Sequence, residues 1–179
     1  MKRTVLSAFL LVLAFPLIAA PQTEEWSRFS PSGLNFSALF PGTPVEEPQS
    51  VDKRSDGSVD STTYLYYFQG GGFYCGVGVS DYTFTVNVEN ELTANRDNFL
   101  KSVDGTLLTS QRGEFINGSE KLPELTFTFE IPKIDYRGKS IVIIRGNRTY
   151  MALAAISKDA PDNAFIERFL DSFKFTSNP

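Results

Sequence analysis

The chain contains no histidine among its 179 residues. That one absence removes His-based nucleophile triads, Cys–His dyads, HExxH zinc sites and ordinary His-ligated metal centres together. Cysteine is nearly as scarce. A lone Cys75 closes no internal disulfide and builds neither a thiolate zinc site nor an iron–sulfur cluster, so stability has to come from packing. Cys75 sits in the apolar run Phe73-Tyr74-Cys75-Gly76-Val77 with no basic neighbour in sequence to hold a thiolate, which marks it as a small buried hydrophobe. No metal-ligand set and no cofactor motif are found, and no catalytic residue can be named.

Positive charge is in deficit, with 17 basic against 21 acidic side chains. Setting aside Lys2 and Arg3 as part of a leader leaves 15 against 21, a net charge of −6, which argues against nonspecific affinity for nucleic acid or anionic lipid. Long apolar runs are confined to the start of the chain. Lys2 and Arg3, the apolar stretch Val5 to Phe15 and the small pair Ala19 and Ala20 together read as a secretory signal peptide over residues 1–20. A membrane span needs about 20 apolar residues, and Pro16 interrupts a run already shorter than that. The expectation is therefore an exported protein, periplasmic or extracellular, with no stable membrane span in its mature chain. Residues 21–179 have the size of one domain with a hydrophobic core.

What the remainder contains is mostly strand. Leu34, Phe36, Ala38 and Phe40 alternate with Asn35, Ser37 and Leu39, the period of a strand with one buried face, and Phe40-Pro41-Gly42-Thr43-Pro44 stops it. Val45 to Arg54 is more polar and carries Pro48, as an edge strand does, and Asp56-Gly57 supplies turn chemistry. Thr62 to Gln69 and Phe73 to Tyr82 are rich in aromatic and β-branched residues around Gly70-Gly71-Gly72, which indicates a hairpin. After Asn90 the period becomes helical through Leu92, Phe99, Leu100 and Val103, with Asp104-Gly105 as the stop. Leu107 to Ile116, Leu122 to Ile131, Lys139 to Arg145 and Arg148 to Ser157 then read as a four-strand antiparallel meander. Its turns are Asn117-Gly118, suited to type I′, and Gly146-Asn147, suited to type II′.

The last element places Phe165, Ile166, Phe169, Leu170 and Phe173 at spacings of three and four, an amphipathic helix with Asp159 as its candidate N-cap and Pro161 in its first turn. Each large apolar side chain it buries is worth about 1.5–3 kcal/mol, so this helix should dock on the sheet. Strands, a helix, a meander and a terminal helix make an α+β fold: a mostly antiparallel sheet of about seven or eight strands with two amphipathic helices.

Three segments carry a family likeness: Phe-x-x-x-Phe-Pro-Gly-x-Pro at Phe36 to Pro44, Gly-Asn-Arg-x-Tyr at Gly146 to Tyr150, and Phe169-Leu170-Asp171-Ser172-Phe173-Lys174-Phe175. With the leader, they resemble small exported bacterial proteins, and the element order resembles the PsbP-like α/β/α fold superfamily, named for the photosystem II extrinsic protein. The resemblance implies a binding or assembly role more than catalysis, and it brings no active-site signature.

Other motifs have plainer explanations. Ser50-Val51-Asp52-Lys53 has Ser-x-x-Lys spacing but lies in a Pro-flanked strand, where a penicillin-binding site needs a helix start. Asp52, Asp56 and Asp60 suggest a calcium loop, yet Arg54 occupies a ligand position and Thr63 stands where the bidentate Glu belongs. Gly70-Gly71-Gly72 is followed by a strand, whereas a phosphate loop opens a helix. The sequons at Asn35, Asn117 and Asn147 matter only in a glycosylating pathway, and the last two are turn residues.

The aromatic cluster Tyr64, Tyr66, Tyr67, Phe68, Phe73, Tyr74, Tyr82 and Phe84 should be mainly core. Within it Tyr66 and Tyr82, read as lying at or near strand ends, are the candidate binding residues of a groove. The reading that follows is an exported noncatalytic binding or assembly domain whose partner is a protein or an envelope component. Its competitors are a glycosidase-like hydrolase built on an Asp/Glu pair and a small-molecule carrier with a closed apolar cavity of about 300 Å³ or more.

Overall fold

A computed structural model describes residues 26–160 and 163–176. The proposed leader lies outside the described residues. Eleven strands and two helices follow in order: β1 (Ser27–Phe29), β2 (Phe36–Phe40), β3 (Val45–Glu46), β4 (Ser50–Lys53), β5 (Val59–Gly70), β6 (Phe73–Tyr82), α1 (Val88–Ser102), β7 (Thr106–Asn117), β8 (Glu120–Ile131), β9 (Tyr136–Arg145), β10 (Arg148–Ser157), α2 (Ala164–Ser172) and β11 (Lys174–Phe175). The class is α+β, dominated by one antiparallel eight-stranded sheet in the order β3-β5-β6-β10-β9-β8-β7, with β4 also pairing β5.

The number of sheets departs from the sequence reading. β2 does not join the large sheet; it pairs with β1 and β11 in a separate three-stranded layer. The cause is that its apolar residues Phe36, Ala38 and Phe40 are needed as a lid, packed against Tyr66, Val77 and Tyr150 of the large sheet.

Strands β10, β6 and β9 are central and covered on both sides. β10 accordingly reads as a nearly unbroken buried run, Thr149 to Ile156, in place of an alternating one. The lid layer and α2 cover one face of the large sheet, and α1 covers the other, where Leu92 and Phe99 meet Phe127, Phe129 and Leu153. β8 alternates as expected. Leu125, Phe127, Phe129 and Ile131 are buried toward α1, while Thr126, Thr128 and Glu130 are half-exposed on the opposite face.

Local chemistry sets the ends of the elements, with several shifts from expectation. α1 begins at Val88, earlier than the change of period indicates, because the Asn87 side chain accepts a hydrogen bond from the Asn90 amide at 3.0 Å. At its other end the left-handed residue is Asp104 (φ +49°), not Gly105, and the Gly105 amide donates to the Leu100 carbonyl at 2.8 Å. In the β7–β8 hairpin Asn117 still pairs with Glu120, so the turn residues are Gly118 and Ser119. Only Gly118 is left-handed (φ +63°), which is the φ pattern of type II′ instead of I′.

α2 is capped at Asn163, not at Asp159; the Asn163 side chain makes no cap bond and instead accepts from Arg137 Nε at 3.1 Å. Pro161 lies outside the described residues. Phe173 has already left the helix: it is extended, buried, and stacked on Phe36 at 5.8 Å between ring centroids.

Candidate functional site

The lid is narrower than the sheet. α2 packs on β10, β9, β6 and β2, and the cover reaches the β7–β8 ladder only at its turn end, where Phe115 and Leu122 join the lid-side core. The uncovered strip is an open groove of about 720 Å³. Its floor is Glu124 and Thr126 of β8 with Lys139 and Ile141 of β9, and one wall is Leu170, Phe173 and Phe175. The other rim is β7, through Phe115, Ile116 and Asn117.

The groove is pre-shaped by interlocking rings. Phe115 meets Phe173 at 5.9 Å and Phe175 at 5.6 Å, both edge-on, and Phe175 meets Tyr150 at 4.8 Å. The Arg145 guanidinium lies 5.1 Å over the Phe175 ring and pairs with Glu120 at 2.9 Å. On the floor, the Thr126 hydroxyl donates to Glu124 at 2.7 Å, and Lys139 Nζ donates to Glu167 of α2 at 3.0 Å. Asp171 and Lys174 stand exposed on the rim. Apolar walls and charges of both signs suit a polypeptide surface better than a polyanion.

A second depression of about 440 Å³ lies at the β9–β10 turn and contains Arg145 and Arg148. Both cations are already engaged: Arg148 with Asp81 and with the Gly33 carbonyl at 3.0 Å, Arg145 with Glu120. On the α1 face a small apolar cavity of about 10 Å³ is lined by Tyr74, Phe99, Phe129 and Leu153 among others. Tyr74 Oη is buried without a hydrogen-bond partner among the described residues.

The two sequence candidates are not brought together. Tyr66 is in the middle of β5, 5% exposed, and its hydroxyl donates to Glu46 at 3.3 Å. Burial, reinforced by the Glu46 carboxylate, pushes its phenol up to about 12. Tyr82 ends β6, is also 5% exposed, and donates to Glu91 of α1. They belong to the cores on opposite faces of the sheet. The signal was available: with Gly71 and Gly72 as the turn, Tyr66 pairs with Val77, an odd number of residues from Tyr82, which reverses the face.

The three aspartates of the calcium-like stretch are occupied by neighbours. Asp52 accepts from Ser61 at 3.2 Å, Asp60 pairs with Arg54 at 2.8 Å, and Asp56 accepts from the Ser58 amide at 2.9 Å. Those bonds from Ser58 hold the Asp56 carboxyl below its ordinary range, and Asn117 does the same for Glu120. A general acid needs the opposite displacement.

Sequence reasoning did not single out Phe115, Thr126, Lys139 or Phe175. The usable hint was a polar strand face, Glu124-x-Thr126-x-Thr128, alternating with the apolar one of Leu125, Phe127 and Phe129.

No family model and no curated protein matches the chain. A solved structure from Bacteroides thetaiotaomicron VPI-5482 is similar over 84% of this chain and 48% of its own, with a TM-score of 0.41 and 13% identity. This chain thus spans about half the length of that one.

Proposed function

We propose that the protein is an exported, noncatalytic binding domain that holds a segment of a partner protein in the groove between β7 and the α2–β11 corner. The observation that carries this is the groove itself: a preformed open channel of about 720 Å³ with aromatic walls and a floor holding Thr126, Glu124 and Lys139. Pre-organised aromatic surface lowers the ordering cost of binding, and mixed charge on the rim gives register to a polypeptide. The signal-like leader and the resemblance to PsbP-like proteins support a site of action in the periplasm or at the cell exterior. No described helix is long and apolar enough to cross a membrane.

The test is site-specific photocrosslinking in the envelope fraction. A photoreactive residue at Lys174, on the α2 side of the groove, should label one discrete protein, whereas the same residue at Val59 on the far edge of the sheet should not. Thr126→Arg, which fills the floor from a half-exposed position, should abolish the labelling while leaving the circular dichroism spectrum unchanged. Equal labelling from Lys174 and Val59, or turnover of an envelope polysaccharide by the purified protein, would overturn the proposal.

A further inference from the structure

The two edges of the large sheet are built differently. On one side the edge is broken into β3 and β4 around Pro48, with a register shift between Asp52 and Lys53, and such breaks deter a further strand. On the other side β7 is twelve residues long, contains no proline, is exposed over nearly its whole length and pairs with β8 alone among the described residues. Its outward amide and carbonyl groups are a template for another strand.

The regular part of β7 has a centre. Pairing with β8 shifts between Leu107 and Thr109 and then runs unbroken from Thr109 to Asn117, and Gly113 is the midpoint of that run. Nothing among the described residues asks for glycine there. Its φ is not in the left-handed region, and an added Cβ would meet only Glu124 Oε1, at an ordinary 3.7 Å. A glycine in a strand interior weakens the strand and often marks close approach of another backbone.

The charges beside Gly113 are antisymmetric, Arg112 on one side and Glu114 on the other. Two copies of one strand joined antiparallel in a continuous sheet are related by a two-fold axis perpendicular to it. Because side chains alternate between faces, some residue must then lie opposite its own copy. An axis through Arg112 sets Arg112 against itself, and one through Glu114 sets Glu114 against itself, both repulsive. An axis through Gly113 places Arg112 opposite the second copy's Glu114, twice, and uses the whole regular run, with Thr109 opposite the second copy's Asn117. It also sets Ile116, 58% exposed, against the second copy's Ser110.

We propose that the protein forms a two-fold dimer by antiparallel pairing of β7 with β7 of a second copy, in the register centred on Gly113. Within one chain Arg112 pairs with Glu89 at 2.8 Å and donates to the Glu89 carbonyl and the Thr93 hydroxyl at 3.1 Å, and Glu114 pairs with Lys121 at 3.0 Å; all lie on the surface, where ion pairs contribute little. The inference is independent of the groove reading. If both hold, the two grooves open on the same face of the joined sheet, flanking the axis.

Sedimentation equilibrium of the purified protein tests it, with twice the chain mass expected. Arg112→Glu and Glu114→Arg, each alone, should weaken association about tenfold or more by setting like charges opposite one another. The double exchange should restore it. That rescue cannot come from within one chain, because the exchange leaves position 112 facing Glu89 and position 114 facing Lys121 with like charge. Gly113→Cys should form a covalent dimer on mild oxidation and Arg112→Cys should not, since only position 113 meets its own copy. Thr126→Arg, which acts on the groove, should leave the mass unchanged. A monomer mass at every concentration, a double exchange that stays dissociated, or crosslinking at 112 in place of 113 would overturn the proposal.

Discussion

The Phe129 ring rests on the bare Cα of Gly138, directly opposite it in the β8–β9 ladder. A Cβ on Gly138 would come within 2.5 Å of that ring and 2.7 Å of the Ala154 carbonyl oxygen. The contact sets how closely α1 approaches, because Phe99 of α1 packs edge-on against Phe129 at 4.9 Å.

Gly138→Ala should therefore destabilise the protein by about 1–3 kcal/mol, the usual cost of forcing a methyl group into a filled core. Urea denaturation would show this as a lower midpoint with an unchanged slope.

Phe169 is fully buried and meets Phe40 edge-on at 5.2 Å, joining α2 to the lid. Truncation by Phe169→Ala should cost about 3–5 kcal/mol. Phe165, only half-buried between Phe73 and Trp26, should cost clearly less when truncated in the same denaturation assay.

Tyr74 carries a buried hydroxyl with no partner among the described residues, and burial raises the phenol far above the ordinary value. Removing an unsatisfied polar group while keeping the ring is neutral or favourable, so Tyr74→Phe should hold or raise the melting temperature. A clear fall would show that the hydroxyl is satisfied in solution.

Tyr66 gives an alkaline limit to stability. Its folded-state phenol is pushed from 10.0 up to about 12, so the folded chain keeps a proton that the unfolded chain releases sooner. The contribution is complete below about pH 10 and is lost as pH rises toward about 12. Tyr67, Tyr136 and Tyr150 are raised as well and act with the same sign. Urea midpoints measured at increasing alkaline pH should fall, and less steeply for Tyr66→Phe.

Cys75 is fully buried between the lid and the sheet. A thiol reagent should leave the native protein unmodified and react stoichiometrically once denaturant is added, with the rate following unfolding.

Much of this architecture was legible one element at a time. The Gly71-Gly72 hairpin, the helical stripe through Ile166, Phe169 and Leu170, the alternation along β8 and the burial of Cys75 all follow from local period and turn chemistry. Assignments failed where two local signals compete. Asn117-Gly118 and Gly118-Ser119 are both sound turn pairs, and the cross-strand bond from Asn117 to Glu120 at 3.2 Å favours the second. Asp159 and Asn163 are both good caps, and the position that closes α2 is the one Arg137 holds.

The sequence alone determined which residues are apolar at which period, and so which segments become strands and helices, because those preferences act within a few residues. Only the tertiary structure decided that β2 leaves the main sheet to become its lid, that Tyr66 and Tyr82 end in separate cores, and that the cover meets β7 only at Phe115. The physical reason is that a groove is where packing ends: the lid's three short strands and nine-residue α2 are too narrow for the sheet beneath them, a mismatch of areas that no single segment encodes.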